Sequence, residues 1–153
     1  LPQPEPLLTA SPKVPGIDGR KMSKSYGNTI EIGAPKEAAR KSIMAIKTDS
    51  TPVDAPKEPS TCNVFALLSL FCGEAELKEW EKRYRAGGMG YGEAKNALVE
   101  KYEERIGPMR DRRAELAKDR AGIWKILREG SDRAREISGK HLKEMRAAIG
   151  LNY

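Results

Sequence analysis

Lys21-Met22-Ser23-Lys24-Ser25 divides the chain into two kinds of sequence. It is preceded by a proline-rich start and by Gly16-Ile17-Asp18-Gly19-Arg20. It is followed by Tyr26-Gly27-Asn28-Thr29-Ile30 and then by a succession of helical patterns. Two lysines three positions apart, interleaved with two hydroxyls and backed by Arg20, make a compact cluster of cationic and neutral donors. Glycines on both sides let the backbone bend and move. Such a loop suits a polyphosphate whose charge builds up during a reaction. Lysine acts as a mobile point charge, while hydroxyls and free backbone N–H groups add oriented donors.

On the N-terminal side, Pro2, Pro4, Pro6, Pro12 and Pro15 remove donors and fix φ, which predicts extended irregular chain with one short strand at most. The start carries no apolar signal-peptide core, and its opening on Leu1 reads as a fragment of a longer protein. The loop spans residues 16–33, with Thr29-Ile30-Glu31-Ile32 as an extended exit.

On the C-terminal side the spacing of apolar residues predicts five helices. Pro35 and Glu37 start the first, which runs to about Ile46 and buries Ala39, Ile43 and Ile46. Residues 51–59 are a Pro-rich connector. Ser60 or Thr61 caps a second helix over 61–72, apolar nearly all round, with Gly73 ending it. A third covers 75–86, with Leu77, Trp80 and Tyr84 on one face. Ala86 through Gly92 reads as a helix C-cap and turn; a phosphate loop would need a lysine after its last glycine, where Glu93 stands. The fourth helix starts near Glu93 and is kinked or interrupted at Gly107-Pro108 before ending near Leu116. The fifth covers 119–147, where Ile123, Leu127, Gly130, Ala134, Ile137 and His141 make a bundle seam. His141 reads as a partly buried, satisfied histidine and Trp124 as a packing residue. The predicted fold is mainly α: a helical bundle preceded by an irregular loop, with domains over residues 1–33 and 34–153.

The net charge of +6 is unevenly spread. Residues 1–104 carry 15 Lys/Arg and 15 Asp/Glu, whereas residues 105–153 carry 13 and 7. The excess therefore sits on the last helices, where a nucleic-acid backbone can lie or paired charges can simply be solvated. Arg128 and Arg135 share a face, and Lys140 belongs to a second row. Cys62 and Cys72, with His141 as the sole histidine, fall short of the four ligands of a zinc site and read as reduced core thiols. No apolar run is long enough for a membrane span.

The string from Pro15 through Ile32, with KMSKS at its centre, resembles the second signature loop of class I aminoacyl-tRNA synthetases, and the tryptophanyl-tRNA synthetases of bacteria in particular. The resemblance continues through Ile46-Lys47-Thr48-Asp49-Ser50, Asn63 to Leu68, Tyr84 to Gly92 and Pro108 to Arg113, and so covers nearly the whole chain. It implies that Lys21 and Lys24 contact ATP phosphates, that Ser23 and Ser25 donate to phosphate or hold the loop, and that the backbone at Met22 lies against adenine. Mg2+ would arrive with ATP, without dedicated protein ligands. The implied activity is activation of L-tryptophan and its transfer to tRNA(Trp), in a cytoplasmic homodimer. Arg128, Arg135 and Lys140 become the candidate tRNA contacts. The family's His-x-Gly-His signature does not occur here, so the chain resembles the C-terminal half and is not expected to form the adenylate alone. The alternatives are a tyrosyl enzyme and a stand-alone tRNA-binding helical module.

Overall fold

The computed structural model describes residues 3–9 and 11–151. The Pro2 position of the lead-in, and the terminal residues Leu1 and Tyr153, lie outside the described residues. The described chain is mainly helical: α1 (Lys36–Met44), α2 (Asn63–Leu68), α3 (Glu74–Ala86), α4 (Tyr91–Leu116) and α5 (Arg120–Ala148), with 3-10 turns at Lys24–Tyr26 and Pro59–Thr61. An isolated antiparallel bridge, Pro15 with Lys21, stands where a short strand was allowed.

The chain forms two compact units, the first ending at Arg110 and the second beginning at Asp111. Compaction does not divide the chain at residue 33: Val14, Ile17, Met22 and Ile30 pack against the core of the first unit. That core follows the predicted stripes. Ala39 and Ile43 of α1, with Ile46 just beyond it, are buried; so are Trp80 and Tyr84 of α3, and Ala94, Leu98, Val99 and Tyr102 of α4. Burying each large apolar side chain contributes on the order of 1.5–3 kcal/mol. Lys95 caps α1 from a distance: its ammonium donates to the carbonyls of Met44 (2.9 Å) and Ile46 (2.7 Å), satisfying groups the helix end leaves open.

Two helices depart from expectation. The α2 helix is shorter than 61–72. Glu58 accepts from the Ser60 N–H and caps a 3-10 turn, so the α-helix begins only at Asn63. After Leu68 the chain continues in tight turns to Cys72, and Gly73 serves as the N-cap of α3. The α4 helix passes through Pro108 without interruption. Proline withholds one backbone bond, and a forked pair from Arg110 to Glu103, 2.6 and 3.2 Å long, bridges the turns around it.

In the second unit, no residue of α5 is buried. Its seam exists in the pattern only: Leu127 is 53% and Ile137 64% exposed. His141 is exposed too, with Glu144, 3.5 Å away and one turn on, as its ionic neighbour among the described residues. The reading of a partly buried histidine is therefore corrected. Helical periodicity tells which face is apolar, not what covers it.

Candidate functional site

Residues 14–30 form a closed, internally bonded loop. Its entry and return lie side by side: Met22 N–H donates to the Val14 carbonyl at 2.8 Å and Gly16 N–H to the Arg20 carbonyl at 2.7 Å. Asp18 turns the chain between them, accepting from the Arg20 N–H at 3.0 Å, the side chain–backbone bond that Asp favours in tight turns. Gly19 takes φ +86°, a left-handed conformation open to glycine at little cost. Ile17 fixes the loop to the helical unit by accepting from the Lys47 N–H just past α1 (2.8 Å), and Tyr102 of α4 donates to the Glu31 carbonyl at the loop's exit (3.2 Å).

Asn28 lies at the centre of this arrangement. It is 2% exposed. Its Oδ1 accepts from the Ser23 N–H (2.7 Å), and its Nδ2 donates to Asp18 Oδ1 (2.7 Å) and to the Lys21 carbonyl (3.1 Å). The Asn28 hydrogen bond, helped by Arg20, holds the Asp18 carboxyl down at about 2.

The predicted phosphate donors occupy one short arc. Lys21, Lys24 and Ser25 are exposed, and Met22 and Ser23 are half-buried. The Ser23 and Ser25 hydroxyls sit 2.8 Å apart and can hold each other in place. Among the described residues neither lysine ammonium has an ion-pair partner. Two features of the sequence reading need correction. The N–H groups of Met22 and Ser23 are not free donors, because Val14 and Asn28 accept from them. Arg20 does not join the cationic cluster either: it pairs with Asp18 at 2.7 Å and stacks on the Tyr26 ring at 4.6 Å. The loop thus carries its ammonium and hydroxyl groups on a backbone braced at Met22 and Ser23.

The site residues that sequence reasoning missed are Asp18 and Asn28. Asp18 had a legible signal in its Asp-Gly turn. Asn28 had none, because its partners lie five to ten positions away.

In the second unit, Arg128 and Arg135 line one open groove of about 510 Å³ together with Trp124, Leu127, Ser131 and Asp132. Lys140 is not among the groove's residues. Arg135 is partly neutralised by Asp132 at 2.8 Å. The three predicted cations are thus not one cluster.

The family model described as "tRNA synthetases class I (W and Y)" matches residues 1–107. The chain belongs to this family. Its relatives include the tryptophan–tRNA ligase of Rhodopirellula baltica, 45% identical over 144 residues, an alignment covering 94% of this chain and 45% of that protein. The ligase of Aquifex aeolicus is 42% identical over 154 residues, covering 99% of this chain and 39% of its own. Among solved structures, the tryptophanyl-tRNA synthetase of Campylobacter jejuni complexed with ADP and tryptophan matches with TM-score 0.77 and 38% identity, over 91% of this chain and 44% of that one. The chain spans about half the length of the relatives it matches.

Proposed function

We propose that the chain is the C-terminal portion of a tryptophan–tRNA ligase. Residues 1–33 end the catalytic domain and carry the ATP loop, and residues 34–153 form the helical part on the anticodon side of tRNA(Trp). In the first reaction a carboxylate oxygen of L-tryptophan attacks the α-phosphorus of ATP. A new O–P bond forms as the bond to the bridging oxygen breaks, and pyrophosphate leaves with the electron pair. Negative charge grows on the departing phosphates. Cations that meet it there, more strongly than they meet bound ATP, lower the barrier. Lys21 and Lys24 fill that role, with Ser23 and Ser25 as neutral donors.

Mg2+ would be carried on the phosphates and share their charge. Asp18 in the loop is engaged by Asn28 and Arg20, and in this reading Mg2+ arrives with ATP and takes no dedicated ligand from the protein. The parent enzyme is a cytoplasmic homodimer in this reading. Arg128, Arg135 and Lys140 contact tRNA phosphates, so affinity for tRNA(Trp) should fall steeply with salt. No helix among the described residues is long and apolar enough to cross a membrane.

The observation that carries the reading is the pair of exposed lysines, without an ion-pair partner among the described residues, on a backbone held at Lys21, Met22 and Ser23 by Val14 and Asn28. The test is Lys24→Ala in the full-length ligase, read by ATP–pyrophosphate exchange. Exchange should slow by on the order of 100- to 1,000-fold, the scale of losing a preorganised charge at a transition state, while tryptophan binding is retained. Normal exchange refutes the role.

A further inference from the structure

A buried carboxamide with every polar atom paired, in a loop whose two exposed lysines have no ion-pair partner among the described residues, asks what the burial is for. Asn28 joins the loop's two arms through its side chain and its backbone. Besides its bonds to Ser23, Asp18 and Lys21, its carbonyl accepts from the Ile17 N–H at 3.0 Å. Gly16 is packed so tightly on it that an added Cβ would lie 2.3 Å from Asn28 Nδ2, so residue 16 must be glycine for the amide to fit. The residues that Asn28 grips are the two flanking Met22. Beyond them the 3-10 turn Lys24–Tyr26 carries the second lysine and ends at Gly27 with φ 63°. The Asp18 carboxylate also sets which way the amide faces, since it can only accept, and so leaves Oδ1 for the Ser23 N–H.

We propose that Asn28 is the positioning residue of the ATP loop, its carboxamide fixing the arc from Lys21 to Ser23 so that both ammonium groups are presented in one geometry. The proposal rests on the reading of this loop as an ATP loop. Rates in such sites respond sharply to placement: about 1 Å of displacement from a distant change can cost on the order of 100-fold. Alanine at residue 28 would leave the Ser23 N–H, the Lys21 carbonyl and an Asp18 oxygen without their partner, and the arc would be free to spread. Aspartate would keep an acceptor for Ser23 but set one carboxylate against another. Such a pair holds a proton more tightly than either alone, and once protonated the new carboxyl can donate to Asp18 as the amide does. The ionisable side chains brought to this point are Asp18 and, through it, Arg20; Lys21 and Ser23 reach it by main chain only, and the chain just past α1 contributes the Lys47 N–H at Ile17.

The experiment compares Asn28→Ala, Asn28→Asp and Lys24→Ala in the full-length ligase by ATP–pyrophosphate exchange, tryptophan binding and thermal melting. Asn28→Ala should lower kcat by about 10- to 100-fold at a temperature where it is fully folded, with tryptophan affinity unchanged. Asn28→Asp should be defective near neutral pH and regain activity relative to the parent as pH is lowered from about 8 to about 6. Parental kcat in folded Asn28→Ala overturns the positioning role. If that variant does not fold, a pH-independent Asn28→Asp defect overturns it instead. Lost exchange in Lys24→Ala beside normal exchange in Asn28→Ala removes the positioning role alone; normal exchange in Lys24→Ala removes the ATP-loop reading and the proposal with it.

Discussion

Two loops of the first unit each turn on a lysine, and they use it in opposite ways. In the Lys21–Ser25 arc the ammonium groups point to solvent and the backbone is held by other residues, Asn28 above all. In the Pro-rich connector Lys57 is itself the brace. It is 3% exposed, and its ammonium donates to the carbonyls of Pro52 (2.8 Å), Val53 (3.2 Å) and Ala55 (3.2 Å). The Tyr91 ring lies 5.4 Å from it, and the Tyr91 hydroxyl donates to Asp49 at 2.8 Å. Gly88 N–H donates to the Val53 carbonyl, and Gly87 with φ 77° passes so close that an added Cβ would meet the Asp54 carbonyl at 2.5 Å. A lysine whose protons are all spent on carbonyls is a structural part, whereas one with none spent is available to a ligand. Residue type alone does not separate the two; the hydrogen-bond inventory does.

The comparison breaks first on kinetics. Lys24→Ala should remove most exchange activity while leaving the melting temperature close to the parent's; a large fall in melting temperature would make Lys24 structural after all. Next comes Lys57→Met, which keeps the stem but leaves three buried carbonyls facing a thioether. At about 1–3 kcal/mol for a buried group left unsatisfied, denaturant unfolding should show a loss of at least that size. Unchanged stability would dissolve the contrast from the other side.

The two loops should also fail at opposite ends of the pH scale. Asp18 titrates at about 2 in the folded chain against an ordinary 3.8, so its contribution is complete above about pH 3.8 and is lost as pH falls toward 2. Tyr91 is pushed up to about 12 from 10, chiefly by burial and then by its bond to Asp49. Its contribution is therefore complete below pH 10 and is lost as pH rises toward 12. NMR titration of the Asp18 carboxyl carbon and of the Tyr91 ring would locate both transitions; a Tyr91 midpoint near 10 would show the connector open to water. The smallest expected effect is that of Tyr91→Phe, which deletes one hydrogen bond at a partly exposed site and should cost about 0.5–1.5 kcal/mol by denaturant unfolding.

The helical stripes were legible because burial follows the 3.6-residue period wherever a partner element exists, as at Ile43, Tyr84 and Leu98. The same rule misled at Leu127, Ile137 and His141, because a stripe is a property of one helix and burial is a property of two. The loop's outward lysines were legible from their spacing. Its braces were not, because Asn28 and Lys57 owe their environments to carbonyls and amides that no side-chain pattern records. The boundary of α2 moved because Glu58, outside the expected cap positions, captured the Ser60 N–H first.

The inward lysine carries one practical consequence for chemical labelling. An amine must meet the reagent before it can be acylated or reductively alkylated, and Lys57, buried and enclosed by three main-chain oxygens, is screened from it while its loop is folded. Lys21 and Lys24 stand open to the same reagents. Mild modification followed by peptide mapping would thus mark the reactive arc and leave the connector blank, until unfolding makes every lysine in the chain equivalent.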